Sequence, residues 1–186
     1  MTLEEEHQYL LDKERYIFSN STFTSDDVSE ILDQYKGYSS PKEATMAVST
    51  DLIFTCTQER LANMASGFGA PVYRYLLNRP PKCFTFGFDK CMGVPHMAGL
   101  LSLFSDAFPN NTRQYVVGNA TDFELADAMV AAWGSFVHQG TPGKGWPLWS
   151  EKRKEMVFLG NASSGAVYQQ TAYRTEQCAV IDKFIT

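Results

Sequence analysis

The chain has 186 residues, with 16 Lys+Arg against 21 Asp+Glu for a formal charge of −5, and 44% hydrophobic and 13% aromatic content. That length fits one ordinary domain of about 100–150 residues or a little more, and the apolar fraction supplies a core, which excludes disordered, collagen-like and coiled-coil classes. The acidic balance excludes a nucleic-acid partner, because Lys152-Arg153-Lys154 is too short to make a phosphate-binding face. The apolar stretches at 100–104 and 126–132 fall well below the roughly 18 residues of a membrane span.

From the amino terminus, the first periodic segment follows Ser25, with Val28, Ile31, Leu32 and Tyr35 on one face. It predicts a helix capped by Ser25 and ended near Gly37. A second helix is predicted from about Thr50 to Ser66, where Ile53, Cys56, Leu61 and Met64 make an apolar stripe before Gly67 and Gly69. The period then changes. Val72-Tyr73-Arg74-Tyr75-Leu76-Leu77, bounded by Pro71 and Pro80, is rich in aromatic and β-branched residues and predicts a strand. Residues 79–95 are punctuated by Pro80, Pro81, Gly87, Gly93 and Pro95, so they predict a loop, and loops on a rigid strand are where function concentrates.

Further along, Leu125, Met129, Ala132, Trp133 and Phe136 recur at helical spacing as expected core positions between Asp122 and Gln139, and Gly140 and Pro142 end that run. His138, at the end of this helix, is accounted for by interaction with the helix carboxyl terminus. Trp146 and Trp149 are expected to pack the next loop. Met156 to Leu159 predicts a short strand and Tyr173 to Phe184 a last helix. Two strands cannot bury helices on both faces of a sheet, so the chain reads as the edge of something larger. No repeat or linker divides it.

Four Asn-X-Ser/Thr acceptor sites, at Asn20, Asn110, Asn119 and Asn161, accompany an even count of four Cys. Together they point to a glycosylated protein in a secreted, oxidising environment. The opening Met1-Thr2-Leu3-Glu4-Glu5-Glu6-His7 has neither the positive start nor the apolar run of a secretory signal. The expectation is therefore a piece of a longer secreted protein, with its signal upstream of Met1. No Cys or His pair has the close spacing of a structural zinc site, so the cysteines are expected in disulfides and no metal or other cofactor is expected.

Met92-Gly93-Val94-Pro95-His96, followed by Leu100-Leu101-Ser102-Leu103-Phe104, resembles the catalytic-histidine segment of type-B carboxylesterases and cholinesterases. Three more blocks fall in that family's order: Ala132-Trp133-Gly134-Ser135-Phe136, Gly140-Thr141-Pro142 and Trp146-Pro147-Leu148-Trp149. Glu5-Glu6-His7-Gln8-Tyr9-Leu10-Leu11 is similar to the family's Asp-Glu-Gly-x-Tyr-Phe-Leu block. The resemblance implies an α/β fold, with residues 1–186 as the carboxyl-terminal part of a single α/β-hydrolase domain, helix-rich with few strands here. It implies His96 as the triad base and Glu6 as the triad acid, although the acidic run Glu4-Glu5-Glu6 can be slid by one. Cys56 and Cys178 take the places of a family disulfide. Cys83 and Cys91 bracket seven residues of the loop expected to present His96, so they are expected to pair with each other.

Ester hydrolysis by such a triad needs a hydroxyl nucleophile, an imidazole to take its proton, a carboxylate to orient the imidazole and backbone N–H donors for the oxyanion. The family nucleophile sits on a Gly-x-Ser-x-Gly elbow, and the nearest string here is Ser163-Ser164-Gly165, which lacks the first glycine. The expectation is a serine carboxylic-ester hydrolase whose nucleophile lies upstream of Met1, so that this chain alone is inactive. The alternative is a non-catalytic cholinesterase-like adhesion or binding module. It is left open by Met97, Ala98 and Gly99, which stand where the family has Gly and then an acidic residue. The implied partner is a small-molecule ester, and a homodimer through the helix ending at Gln139 and the terminal helix is left open.

Overall fold

The cap of the first helix is Thr24, one residue before the expected Ser25, which is instead the first helical residue. The Thr24 hydroxyl accepts the Asp27 N–H at 3.3 Å and the Asp27 carboxylate accepts the Thr24 N–H at 2.7 Å, a reciprocal cap that satisfies two otherwise orphaned donors. A computed structural model describes residues 2, 4–5, 8–9, 12, 24–79, 93–104, 120–161 and 165–184. In chain order its elements are α1 (Ser25–Asp33), α2 (Pro41–Thr50), a π-helical turn (Asp51–Thr55), α3 (Cys56–Gly67), β1 (Tyr75–Leu77), α4 (Ala98–Leu103), α5 (Ala120–Gln139), β2 (Glu155–Asn161), β3 (Gly165–Thr171) and α6 (Thr175–Ile181). They fall into two units, Met1–Gly67 with Ala172–Thr186, and Phe68–Thr171.

In the first unit, α2 was not anticipated from periodicity, yet it has a conventional start. Ser40 accepts the Glu43 N–H at 3.3 Å, and Pro41 occupies the first helical position, where its missing N–H is harmless. The π-helical turn inserts extra residue between α2 and α3 and rotates the face that follows. Leu52, Cys56, Glu59 and Ala62 therefore point inward. The predicted stripe is corrected accordingly: Cys56 is buried, but Ile53, Leu61 and Met64 are 37%, 59% and 57% exposed. The core joins Val28, Ile31 and Tyr35 of the α1 region to Val48 of α2, Leu52, Cys56, and Cys178 and Ile181 of α6. A disulfide links Cys56 to Cys178 with Cα atoms 5.2 Å apart, the pairing that the resemblance implies.

A buried carboxylate is costly unless paired. Asp51, almost wholly buried, accepts the Tyr35 hydroxyl at 2.8 Å and lies 3.3 Å from Arg174 Nε. The Arg174 guanidinium also donates to the Tyr38 hydroxyl and lies 5.5–5.8 Å from the ring centroids of Tyr35, Tyr38 and Tyr173. Burial raises the Asp51 pKa above the ordinary carboxylate value against the opposing pull of Arg174. Burial, with the neighbouring Asp51 charge, likewise pushes the Tyr35 hydroxyl up.

The second unit is built on a three-stranded sheet ordered β1-β2-β3. β1 runs parallel to β2, with Tyr75 opposite Val157 and Leu77 opposite Leu159, and β2 runs antiparallel to β3. The strand expected over Val72 to Leu77 shortens to Tyr75–Leu77, although the Val72 and Arg74 carbonyls still accept the Trp149 and Val157 N–H groups at 2.8 and 3.0 Å. The strand expected at Met156 to Leu159 extends to Glu155–Asn161, and β3 is an addition to the two strands expected. Leu125 and Met129 of α5 pack on Val157 and Leu159, with Tyr75, Leu77, Leu103 and Trp146 around them.

Trp133 and Phe136 depart from their expected core role, each being 44% exposed. They line an apolar cleft of about 200 Å³ with Tyr73, Tyr75, Pro142 and Trp146. Tyr75 meets Trp133 and Trp146 edge-on at 6.3 and 5.8 Å between centroids, the arrangement favoured by ring quadrupoles. Trp149 is buried, with the Arg74 guanidinium 4.3 Å over its ring. Among the described residues no helix is long and apolar enough to cross a membrane.

Candidate active site

The segment that bears His96 is held at both ends by the same sheet and helix. At the end of β1, the Asn78 N–H donates to the Leu159 carbonyl at 2.8 Å. Arg79, the next residue, donates from Nε to Oδ1 of Asp122, in the first turn of α5. Both side chains are mostly buried, 17% and 11% exposed. Gly160 makes room for this approach. Its φ is +106°, and a Cβ added there would fall 2.2 Å from Arg79 Cβ, so no side chain fits without moving the strand end.

At the other end of this segment, Gly93 (φ +75°) opens a turn in which the Ala98 N–H donates to the Pro95 carbonyl at 3.1 Å and the Leu100 N–H to the Met97 carbonyl at 3.0 Å. α4 then starts at Ala98, which is buried. Gly99 is packed closely enough that a Cβ would meet Met129 Cε at 3.4 Å and Leu77 Cδ2 at 3.9 Å. The backbone on the α4 side of His96 is thus seated on α5 and β1, while the imidazole itself is exposed. A residue so placed can present a ring nitrogen to a group brought from outside this turn.

Met97 gives the departure at this position a geometric meaning. Its φ is +71°, in the left-handed region that costs an L-residue about 1–2 kcal/mol and glycine nothing. Glycine, which the resemblance implies at this position, suits this backbone, and methionine holds it under strain.

Glu6 lies outside the described residues, as do Cys83, Cys91, Asn20, Asn110, Asn119, Ser163 and Ser164. Asn161 ends β2 opposite Gly165. Glu5, the neighbour in the acidic run, already has a structural task. Its N–H donates to the Thr2 hydroxyl at 3.2 Å, and its carboxylate accepts the Thr2 N–H at 2.7 Å, which holds its pKa below the ordinary value. Sequence reading passed over Arg79 and Asp122. The available signals were an acidic residue in a helix's first turn and a basic residue directly after a strand.

A sequence model described as the carboxylesterase family matches residues 2–181. The chain belongs to the carboxylesterase family. Among solved structures, a PNB esterase superposes with TM-score 0.68 at 18% identity, over 94% of this chain and 33% of its own. The carboxylesterase EST55 of Geobacillus stearothermophilus gives 0.65 at 20%, over 94% and 34%. A thermophilic PNB esterase gives 0.66 at 17%, over 97% and 34%. A search of curated protein sequences returns no match. These carboxylesterases carry the α/β-hydrolase fold, and the mixed sheet with its flanking helices is part of it. The chain spans about a third of the length of these structures.

Proposed function

We propose that this chain is the carboxyl-terminal part of a secreted serine carboxylic-ester hydrolase, with His96 as its base and Glu6 as the carboxylate that orients it. The serine and the oxyanion donors come from the part of the enzyme that this chain does not contain. The observation that carries the reading is the His96 turn: an exposed imidazole followed by the buried Ala98 and by Gly99, which packs toward Met129 and Leu77. In turnover, His96 takes the serine proton as the hydroxyl attacks the ester carbonyl and returns it to the leaving alcohol. The same imidazole then activates water for deacylation. Glu6 on the other ring nitrogen fixes the tautomer. In the complete enzyme, His96→Ala abolishes ester turnover with the fold retained; unchanged turnover removes His96 from the mechanism. The 186-residue chain alone takes up no serine-directed organophosphonate, and stoichiometric labelling would overturn the assignment of the nucleophile to another part of the protein.

A second reading, a binding module whose triad has decayed, is favoured by Met97 in a conformation made for glycine. An intact Gly-x-Ser-x-Gly elbow in the remainder of the protein decides for the enzyme, and a substituted serine for the binder.

A further inference from the structure

We propose that Arg79 and Asp122 are positioning residues for His96, acting through α5 and α4 without touching the imidazole; the catalytic meaning of this rests on the reading of His96 above. Three observations combine. The pair is a mostly buried, charge-assisted hydrogen bond between residues 43 positions apart, joining the end of β1 to the first turn of α5. Gly160, with no Cβ, allows the Arg79 backbone to approach β2, and Leu125 closes over the same spot at 3.1 Å from the position a Cβ would take. Two turns along α5, Met129 lies against Gly99, three residues after His96.

The consequence is mechanical. Asp122, Leu125 and Met129 are all buried, at 9%, 4% and 0% exposure, and their spacing places them along one face of α5. Hydrophobic packing of Leu125 and Met129 is non-directional and tolerates sliding of the helix along the sheet. A charged hydrogen bond at the helix start is directional and fixes where along β1 and β2 the helix comes to rest. Since α4 is seated on α5, the pair also fixes the height at which the His96 turn stands above the sheet. A displacement of about 1 Å is enough to cost a triad base much of its efficiency.

The test is amide hydrogen exchange on the full 186-residue chain, with NMR of the His96 ring. In Arg79→Ala, the Ala98 and Leu100 N–H groups, which close the His96 turn, exchange about tenfold faster relative to the Val157 N–H in β2, and the His96 ring resonances move. Arg79→Lys, which keeps a cation beside Asp122, restores part of the protection. If Arg79→Ala does not fold, Asp122→Asn is read in the same way. Val157→Ala is the control, since it loosens the same core without touching the pair. Unchanged exchange at Ala98 and Leu100 in Arg79→Ala overturns the proposal, as does equal acceleration in Val157→Ala at matched loss of stability. If the turn loosens as expected but His96→Ala leaves ester turnover intact, the pair still sets the turn and it is the catalytic reading that fails.

Discussion

Replacing Cys56 and Cys178 together by alanine separates the covalent from the non-covalent part of the first unit's stability. The two residues are 122 positions apart, and on the chain-entropy model a crosslink of that span withholds about 16 cal/mol/K from the unfolded chain, or about 4.9 kcal/mol at 25 °C. Non-covalent support for α6 is modest by comparison. Its seven residues are too few to persist as an isolated helix, and its fully buried contribution to the core is Cys178 and Ile181. With a urea m-value of about 2 kcal/mol/M, the loss lowers the unfolding midpoint by about 2.5 M. The assay is urea unfolding followed by far-UV circular dichroism, with tryptophan fluorescence in parallel. All three Trp residues, Trp133, Trp146 and Trp149, belong to the second unit, so the fluorescence does not report α6 directly. Limited proteolysis of the alanine pair should cut near Ala172. A midpoint within about 0.5 M of the parent would refute the reasoning, because it would mean that packing alone holds α6 in place.

Met97→Gly should stabilise the chain by about 0.5–1 kcal/mol, the relief of left-handed strain exceeding glycine's extra unfolded-state entropy; a lower thermal midpoint would contradict the strain read from its φ of +71°. Asp51 sets a pH dependence. Burial raises its folded-state pKa, so its protonated form favours the fold below the unfolded carboxylate value, and that contribution is lost as pH rises through the raised value. Relative to Asp51→Asn, the parent should therefore lose stability from about pH 4 upward, and urea midpoints that run parallel with pH would exclude Asp51 as the source.

Much of the helical framework was legible because its apolar residues keep one period. α1 and α6 fall within the predicted segments, α5 starts at Ala120, two residues before the predicted Asp122, and ends at Gln139 as expected, and Cys56 is indeed buried. The face of α3 was misread because periodicity assumes an unbroken α-helix, and the π-helical turn at Asp51–Thr55 changes the phase just before it. Trp133 and Phe136 satisfied the same spacing rule, yet they face a cleft, since hydrophobicity says that a residue seeks cover and not what covers it. β3 escaped notice because Gln169, Gln170 and Thr171 carry little strand signal, and their hydrogen bonds to β2 make the strand. At the candidate site, His96 was legible from the residues around it. The mostly buried Arg79–Asp122 pair was not, because the two residues meet only once β1 and α5 have packed.

The first unit draws its core from residues near both ends of the chain, and this imposes an order on its synthesis. A ribosome releases Val28, Tyr35, Leu52 and Cys56 long before Cys178 and Ile181 exist. Until then Cys56 is a thiol beside an incomplete apolar surface, and Cys83 and Cys91 emerge first. Any early crosslink to either must be undone by thiol–disulfide exchange before α6 can close the unit, so the yield of folded chain depends on how quickly the compartment reshuffles disulfides.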